Sequence, residues 1–90
     1  MHGEGYGEAE YRIWRAMIAR CRNPNVKSYP HYGGRGIKVY EPWLTSYLEF
    51  LAHVGRRPSP QHSIDRIDND SDYRPGNVRW ATRAEQNRNR

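Results

Sequence analysis

Ninety residues with 15 Lys and Arg against 10 Asp and Glu carry a net charge of +5, and at this length they form a single domain, 1–90. Hydrophobic residues are 36% of the chain and aromatic ones 12%: enough rings for a small core, too little apolar mass for a large one, and no run near the roughly 18 residues of a membrane span. Thirteen of the 15 cations are arginine, whose guanidinium grips phosphate bidentately and stacks on bases, so the excess points to nucleic acid; solubility alone is the plainer reading.

At the N-terminus, Met1-His2-Gly3-Glu4-Gly5 has neither a basic nor an apolar region, so no signal peptide is expected. The lone Cys21 gives no disulfide framework and suits a reducing cytoplasm. From Tyr6 to Arg22, the residues Tyr11, Trp14, Ile18 and Cys21 recur at spacings of 3, 4 and 3, with Met17 beside them. That stripe predicts an amphipathic helix. Arg12, Arg15, Arg20 and Arg22 occupy its other faces, either as a solvated surface or as one that tracks phosphates. Asn23-Pro24-Asn25 ends it, because proline biases its predecessor away from the helical region.

The segment Tyr32-Gly33-Gly34-Arg35-Gly36 follows, its glycines signalling a tight turn or the close approach of backbone to a phosphate. No phosphate-loop pattern is present, so nucleotide binding of that kind is unsupported. Ile37 and Val39 alternate with polar neighbours and predict a short strand. Pro42 then opens a second helix, Trp43 to His53, with an apolar face of Trp43, Tyr47, Phe50, Leu51 and Val54, and Gly55 caps it. Arg56-Arg57-Pro58-Ser59-Pro60 is an exposed basic connector, and residues 6–60 form a helical support region. Arg35 and Lys38, with Arg56 and Arg57, are candidate DNA contacts.

Residues 61–90 read as strand, loop, strand and helix. Ser63 to Asp68 is the first strand, Val78-Arg79-Trp80 the second, and Thr82-Arg83-Ala84-Glu85 a capping box that starts a helix near Arg83 carrying Asn87. The expected class is α+β: two N-terminal helices with a short strand between them, then a hairpin and a final helix.

Three metal readings compete in this chain. Asp68, Asp70 and Asp72 match the first positions of a calcium loop, but Tyr73 stands where glycine is needed and Arg79 where glutamate is needed. Cys21, His31, His53 and His62 form no close ligand pair, so no zinc is expected. Asp65 and Asn87 offer oxygen ligands to a single hard cation, magnesium or manganese, which would polarise a phosphodiester. The Asn69-Asp70-Ser71 sequon has no meaning without a secretory signal.

The stretch Ser63-Ile64-Asp65-Arg66-Ile67-Asp68-Asn69-Asp70, then Tyr73-Arg74-Pro75-Gly76-Asn77-Val78-Arg79-Trp80-Ala81-Thr82, then Glu85-Gln86-Asn87-Arg88-Asn89 resembles the HNH endonuclease motif of phage and homing-endonuclease type. Upstream, Trp14, Arg20-Cys21, Tyr32-Gly33-Gly34-Arg35-Gly36-Ile37 and Trp43 are similar to small phage and prophage proteins with this tail. The resemblance implies a ββα-metal hairpin against DNA. Asp65 and Asn87 would hold the cation and the scissile phosphate. Asn77 would pin the loop between the strands, Trp80 would sit in the core beneath the helix, and Arg79, Arg83, Arg88 and Arg90 would meet phosphates.

One position departs from the pattern. The family's general base is the His after the Asp, and Arg66 stands there; a guanidinium stays protonated and takes no proton from water. His62 lies four strand residues away, roughly 13 Å, beyond the reach of a base. Arg66 is left as a clamp on the phosphate, counted with Asp65 and Asn87 in the catalytic set. Two functions follow: an atypical HNH-like metal-dependent DNA endonuclease or nickase, or a non-catalytic DNA-binding phage protein on the same scaffold. A basic face for an acidic host protein is a third. Cutting a palindrome would require a homodimer.

Overall fold

The computed structural model describes residues 8–88. Helix α1, Glu8–Arg22, forms on the predicted apolar stripe, with Glu8 and Glu10 in its first turn and Arg20 and Arg22 in its last, as the helix dipole favours. Tyr6, where the helix was expected to begin, lies outside the described residues. Met17 on this helix is fully buried, and the Trp14 indole N–H donates to the Trp43 carbonyl at 2.7 Å.

Two 3-10 turns, Tyr29–His31 and Gly33–Arg35, carry the chain back across the end of α1. Gly33 is required by contact: a Cβ there would stand 2.3 Å from the Cys21 carbonyl oxygen and 2.4 Å from the Tyr29 ring. The strand expected at Ile37 and Val39 does not form. Val39 makes a single parallel bridge with Tyr73, through Tyr40 N–H to the Tyr73 carbonyl (2.7 Å) and Tyr73 N–H to the Lys38 carbonyl (3.0 Å). The alternation correctly put Ile37 and Val39 inside, but α2 begins two residues later and leaves no length for a ladder.

The expected second helix is two. Helix α2, Glu41–Thr45, and helix α3, Tyr47–Val54, meet at Ser46, whose extended backbone breaks the run and whose hydroxyl accepts the Glu49 N–H at 3.1 Å. This N-cap restarts the helix in a new direction. The bend lets Trp43 and Phe50 meet edge to face, ring centroids 5.3 Å apart, at the centre of the core, both fully buried. Gly55, with φ 78°, ends α3 and donates to the Leu51 carbonyl.

Strand β1, Ser63–Arg66, pairs antiparallel with β2, Val78–Ala81, in the register Asp65 opposite Arg79 and Ile64 opposite Trp80. Helix α4, Arg83–Arg88, starts on the capping box: Thr82 Oγ1 accepts the Glu85 N–H (3.2 Å) and Glu85 Oε1 accepts the Thr82 N–H (2.8 Å). The chain is thus a small α+β protein with helices and a two-stranded hairpin. Among the described residues no helix is long and apolar enough to cross a membrane.

The basic connector is fixed to α1 by Glu10. Its nearly buried carboxylate accepts the Arg57 backbone N–H at 2.8 Å and the Arg56 Nε–H at 3.2 Å. Burial pushes this carboxyl up, but the Arg57 N–H and the Arg56 guanidinium outweigh it and hold the group below its ordinary value. A depressed folded pKa contributes stability above the unfolded value, about 4.3, that is lost as pH falls through the folded one. Urea midpoints at pH 7 should therefore favour the wild type over Glu10→Gln. The gap should narrow as pH is lowered below about 4.3; a constant gap would show that the charge plays no part.

Candidate nucleic-acid interface

Neighbouring strand residues point to opposite faces, and this parity separates the two central residues of β1. Asp65, 8% exposed, faces β2, where the Arg79 Nε–H donates to its Oδ2 at 3.1 Å. Arg79 also donates to the Glu85 carbonyl of α4 at 3.4 Å, so one guanidinium ties strand, carboxylate and helix together. Oδ1 of Asp65 has no hydrogen bond among the described residues.

Arg66, 7% exposed, faces the other way, into the molecule. Its guanidinium donates to the carbonyls of Asn69 and Ser71 in the β1–β2 loop, the second at 2.8 Å. The same group lies 5.3 Å from the ring centres of both Tyr32 and Tyr73. Those two rings are stacked on one another, 6.2 Å apart at 19°, and Arg20 of α1 covers them as well, with its NH2 group donating to the Tyr73 hydroxyl at 2.9 Å. Burial pushes the Tyr73 hydroxyl up, so it stays protonated. Nothing in the local sequence pattern marks this cluster. It joins residues 53 apart, and the unusual Arg66 was the one visible signal.

Asn77 is 3% exposed and organises the loop from within. Its Oδ1 accepts the Asp68 N–H (2.8 Å), and its Nδ2 donates to the carbonyls of Asp72 (2.8 Å) and Asp68 (3.3 Å). The Trp80 indole N–H donates to the carbonyls of Val54 and Gly55, both at 3.1 Å, which ties β2 to the end of α3.

The candidate cationic contacts fall into two groups. Arg35 is paired with Asp70 (2.8 Å), Arg56 with Glu10 and Arg79 with Asp65. The side chains of Lys38, Arg57, Arg83 and Arg88 make no ion pair among the described residues; Lys38, Arg83 and Arg88 are exposed. Arg90 lies outside the described residues.

Asn87 is exposed on α4, and no hydrogen bond joins it to Asp65. A cation between them would meet a carboxylate whose charge Arg79 already balances, plus one neutral carboxamide. Among the described residues no three or more His, Cys, Asp or Glu side chains gather to hold a metal. As arranged, Asp65 and Asn87 would bring a divalent ion one oxygen of a paired carboxylate and one neutral carboxamide, leaving its other positions to water and phosphate. No proton acceptor stands at position 66, and His62 Nδ1 is engaged with the Ser59 hydroxyl at 2.8 Å. Comparison of the chain with protein-family models, curated proteins and solved structures found no match.

Proposed function

We propose that this chain is a non-cleaving DNA-binding module on an HNH-like ββα scaffold. The observation that carries the reading is Arg66: where an HNH nuclease would hold its base, this chain holds a permanent cation turned inward onto loop carbonyls and tyrosines. The pairing of Asp65 with Arg79 supports it, since the one strand carboxylate serves the fold. Lys38, Arg83 and Arg88 supply exposed, uncommitted charge for the phosphate backbone of double-stranded DNA.

One observation favours the second reading, a magnesium- or manganese-dependent endonuclease or nickase. Oδ1 of Asp65 is unengaged, and Asn87 stands exposed on the helix that follows the hairpin. Supercoiled plasmid incubated with Mg²⁺ or Mn²⁺ decides between them. Gel-shift binding without nicking, alike for wild type and Asp65→Ala, is the expected result. Metal-dependent nicking that disappears in Asp65→Ala would transfer the assignment to the nuclease, and no binding at low salt would remove both.

The interface predicts its own salt dependence. Each phosphate contact contributes roughly −0.9 to the slope of log affinity against log salt. Replacing Arg83 and Arg88 together with alanine should make that slope shallower by about 2. Fluorescence anisotropy on a short duplex measures it; an unchanged slope would place α4 away from the DNA.

A further inference from the structure

A cleft of about 360 Å³ opens between α1, the connector that follows α3, and the start of β1. Ile13, Ile64 and Tyr32 give it apolar walls, and Arg20, Arg57 and His62 line it with donors. Its volume is at the small end of ligand pockets, which begin near about 300 Å³, so it suits one nucleotide-sized group.

The charge around this cleft is not balanced from within. Arg20 and Arg66 both rest on the Tyr32 and Tyr73 rings, their guanidinium carbons 5.0 to 5.7 Å from the ring centres. Neither has a carboxylate partner among the described residues: Arg20 donates to the Tyr73 hydroxyl and Arg66 to backbone carbonyls. The Nε of Arg20 is buried with no hydrogen-bond partner among the described residues. Arg57 brings a third cation. The nearby Glu10 carboxylate takes only its backbone N–H and is paired with Arg56. Buried charges are ordinarily matched, and an orphaned buried donor is costly. Two guanidiniums, Arg20 and Arg57, line an open, partly apolar recess with Arg66 on the far side of the Tyr32 and Tyr73 rings, and an anion from outside would match them.

We infer that this cleft is a phosphate subsite: it takes the phosphate of one nucleotide between Arg20, Arg57 and His62, with the attached sugar or base against Ile13 and Ile64. A phosphate of an intact duplex needs only surface cations. A walled recess instead suits a phosphate at a strand end or beside an unstacked nucleotide, where the attached group is free to enter. The inference rests on the DNA-binding reading only for the source of the phosphate.

Titration of the whole protein with thymidine monophosphate, thymidine and inorganic phosphate, followed by ¹H–¹⁵N NMR, tests it. Thymidine monophosphate should shift the Arg20 Nε–H, Arg57 and His62 signals with a Kd on the order of 1 mM. Inorganic phosphate should move the same signals more weakly, and thymidine should leave them in place. Arg57→Ala keeps the backbone N–H that meets Glu10, so the fold is retained, and it should weaken the nucleotide by about tenfold. Absence of cleft shifts, an unweakened Arg57→Ala, or shifts spread equally over Arg83 and Arg88 would each overturn the subsite. A short single strand with a 5′-phosphate, compared with its 5′-hydroxyl twin, separates the sources: tighter binding of the first assigns a terminal phosphate, and equal binding an internal one. Cleft shifts without duplex binding in the gel shift would leave the subsite standing and remove the DNA reading.

Discussion

Arg66→Ala should cost about 3 kcal/mol and lower the Tm by roughly 12–24 °C. Two opposing effects decide the figure. The substitution deletes two charge-assisted hydrogen bonds that hold the carbonyls of Asn69 and Ser71, and a guanidinium laid on two tyrosine rings. Against this, it relieves the repulsion between Arg66 and Arg20 and removes a charge that was costly to bury. The hydrogen bonds win because the loop carbonyls lose their only donor from the strand, whereas Arg20 keeps the Tyr73 hydroxyl. Arg66→His is the more searching variant. An imidazole is too short to span both carbonyls, so it should lose comparable stability, and it should not confer plasmid nicking because its ring would face Tyr32 and Tyr73. A thermal melt showing a loss below about 1 kcal/mol, the scale of an ordinary surface change, would mean that the arginine does not hold the loop.

Asn77→Ala should cost about 2–3 kcal/mol, read from urea midpoints at constant m. The carboxamide is nearly buried, and its three hydrogen bonds close the loop onto itself across nine residues. Alanine strands the Asp68 N–H and the Asp72 carbonyl where water enters poorly. Asn77→Asp keeps the acceptor for the Asp68 N–H but sets an acceptor-only carboxylate oxygen against the Asp68 and Asp72 carbonyls, so at pH 7 it should be at least as damaging as alanine. An Asp variant clearly more stable than the alanine one would mean that the two Nδ2 bonds contribute little. Because Arg66 and Asn77 serve one loop, their effects should not sum in the double variant.

Helix α1 was legible because its signal is local: four apolar residues on one stripe and a proline two residues past its end. The Thr82 capping box was legible for the same reason. The break at Ser46 has a sign in the sequence as well, serine followed three residues later by Glu49, which the reading of one continuous apolar face from Trp43 to Val54 passed over. At Ile37 and Val39 alternation told which side chains turn inward; it carries no information on whether a partner strand lies alongside, and here one bridge is all that fits. Asp65 was recognisable as a strand carboxylate by position; its burial was not. Its pairing with Arg79 depends on hairpin register, which the long polar loop sets. Arg66 was conspicuous only as a departure from a pattern, and its employment against Tyr32 and Tyr73 is a matter of tertiary packing.

The bridge between Val39 and Tyr73 has a consequence for cooperativity. Three backbone amides cross there: Tyr40 to the Tyr73 carbonyl, Tyr73 to the Lys38 carbonyl, and Lys38 to the Asp72 carboxylate. Trp80 adds a second crossing at the end of α3, and Arg35 with Asp70 a third. The hairpin alone has two strands of four residues, below what holds together unaided in water. The helical half in turn takes Tyr73 into its core. The hairpin therefore depends on the helical half for its stability, and amide exchange in the β1–β2 region should be protected as far as that docking holds.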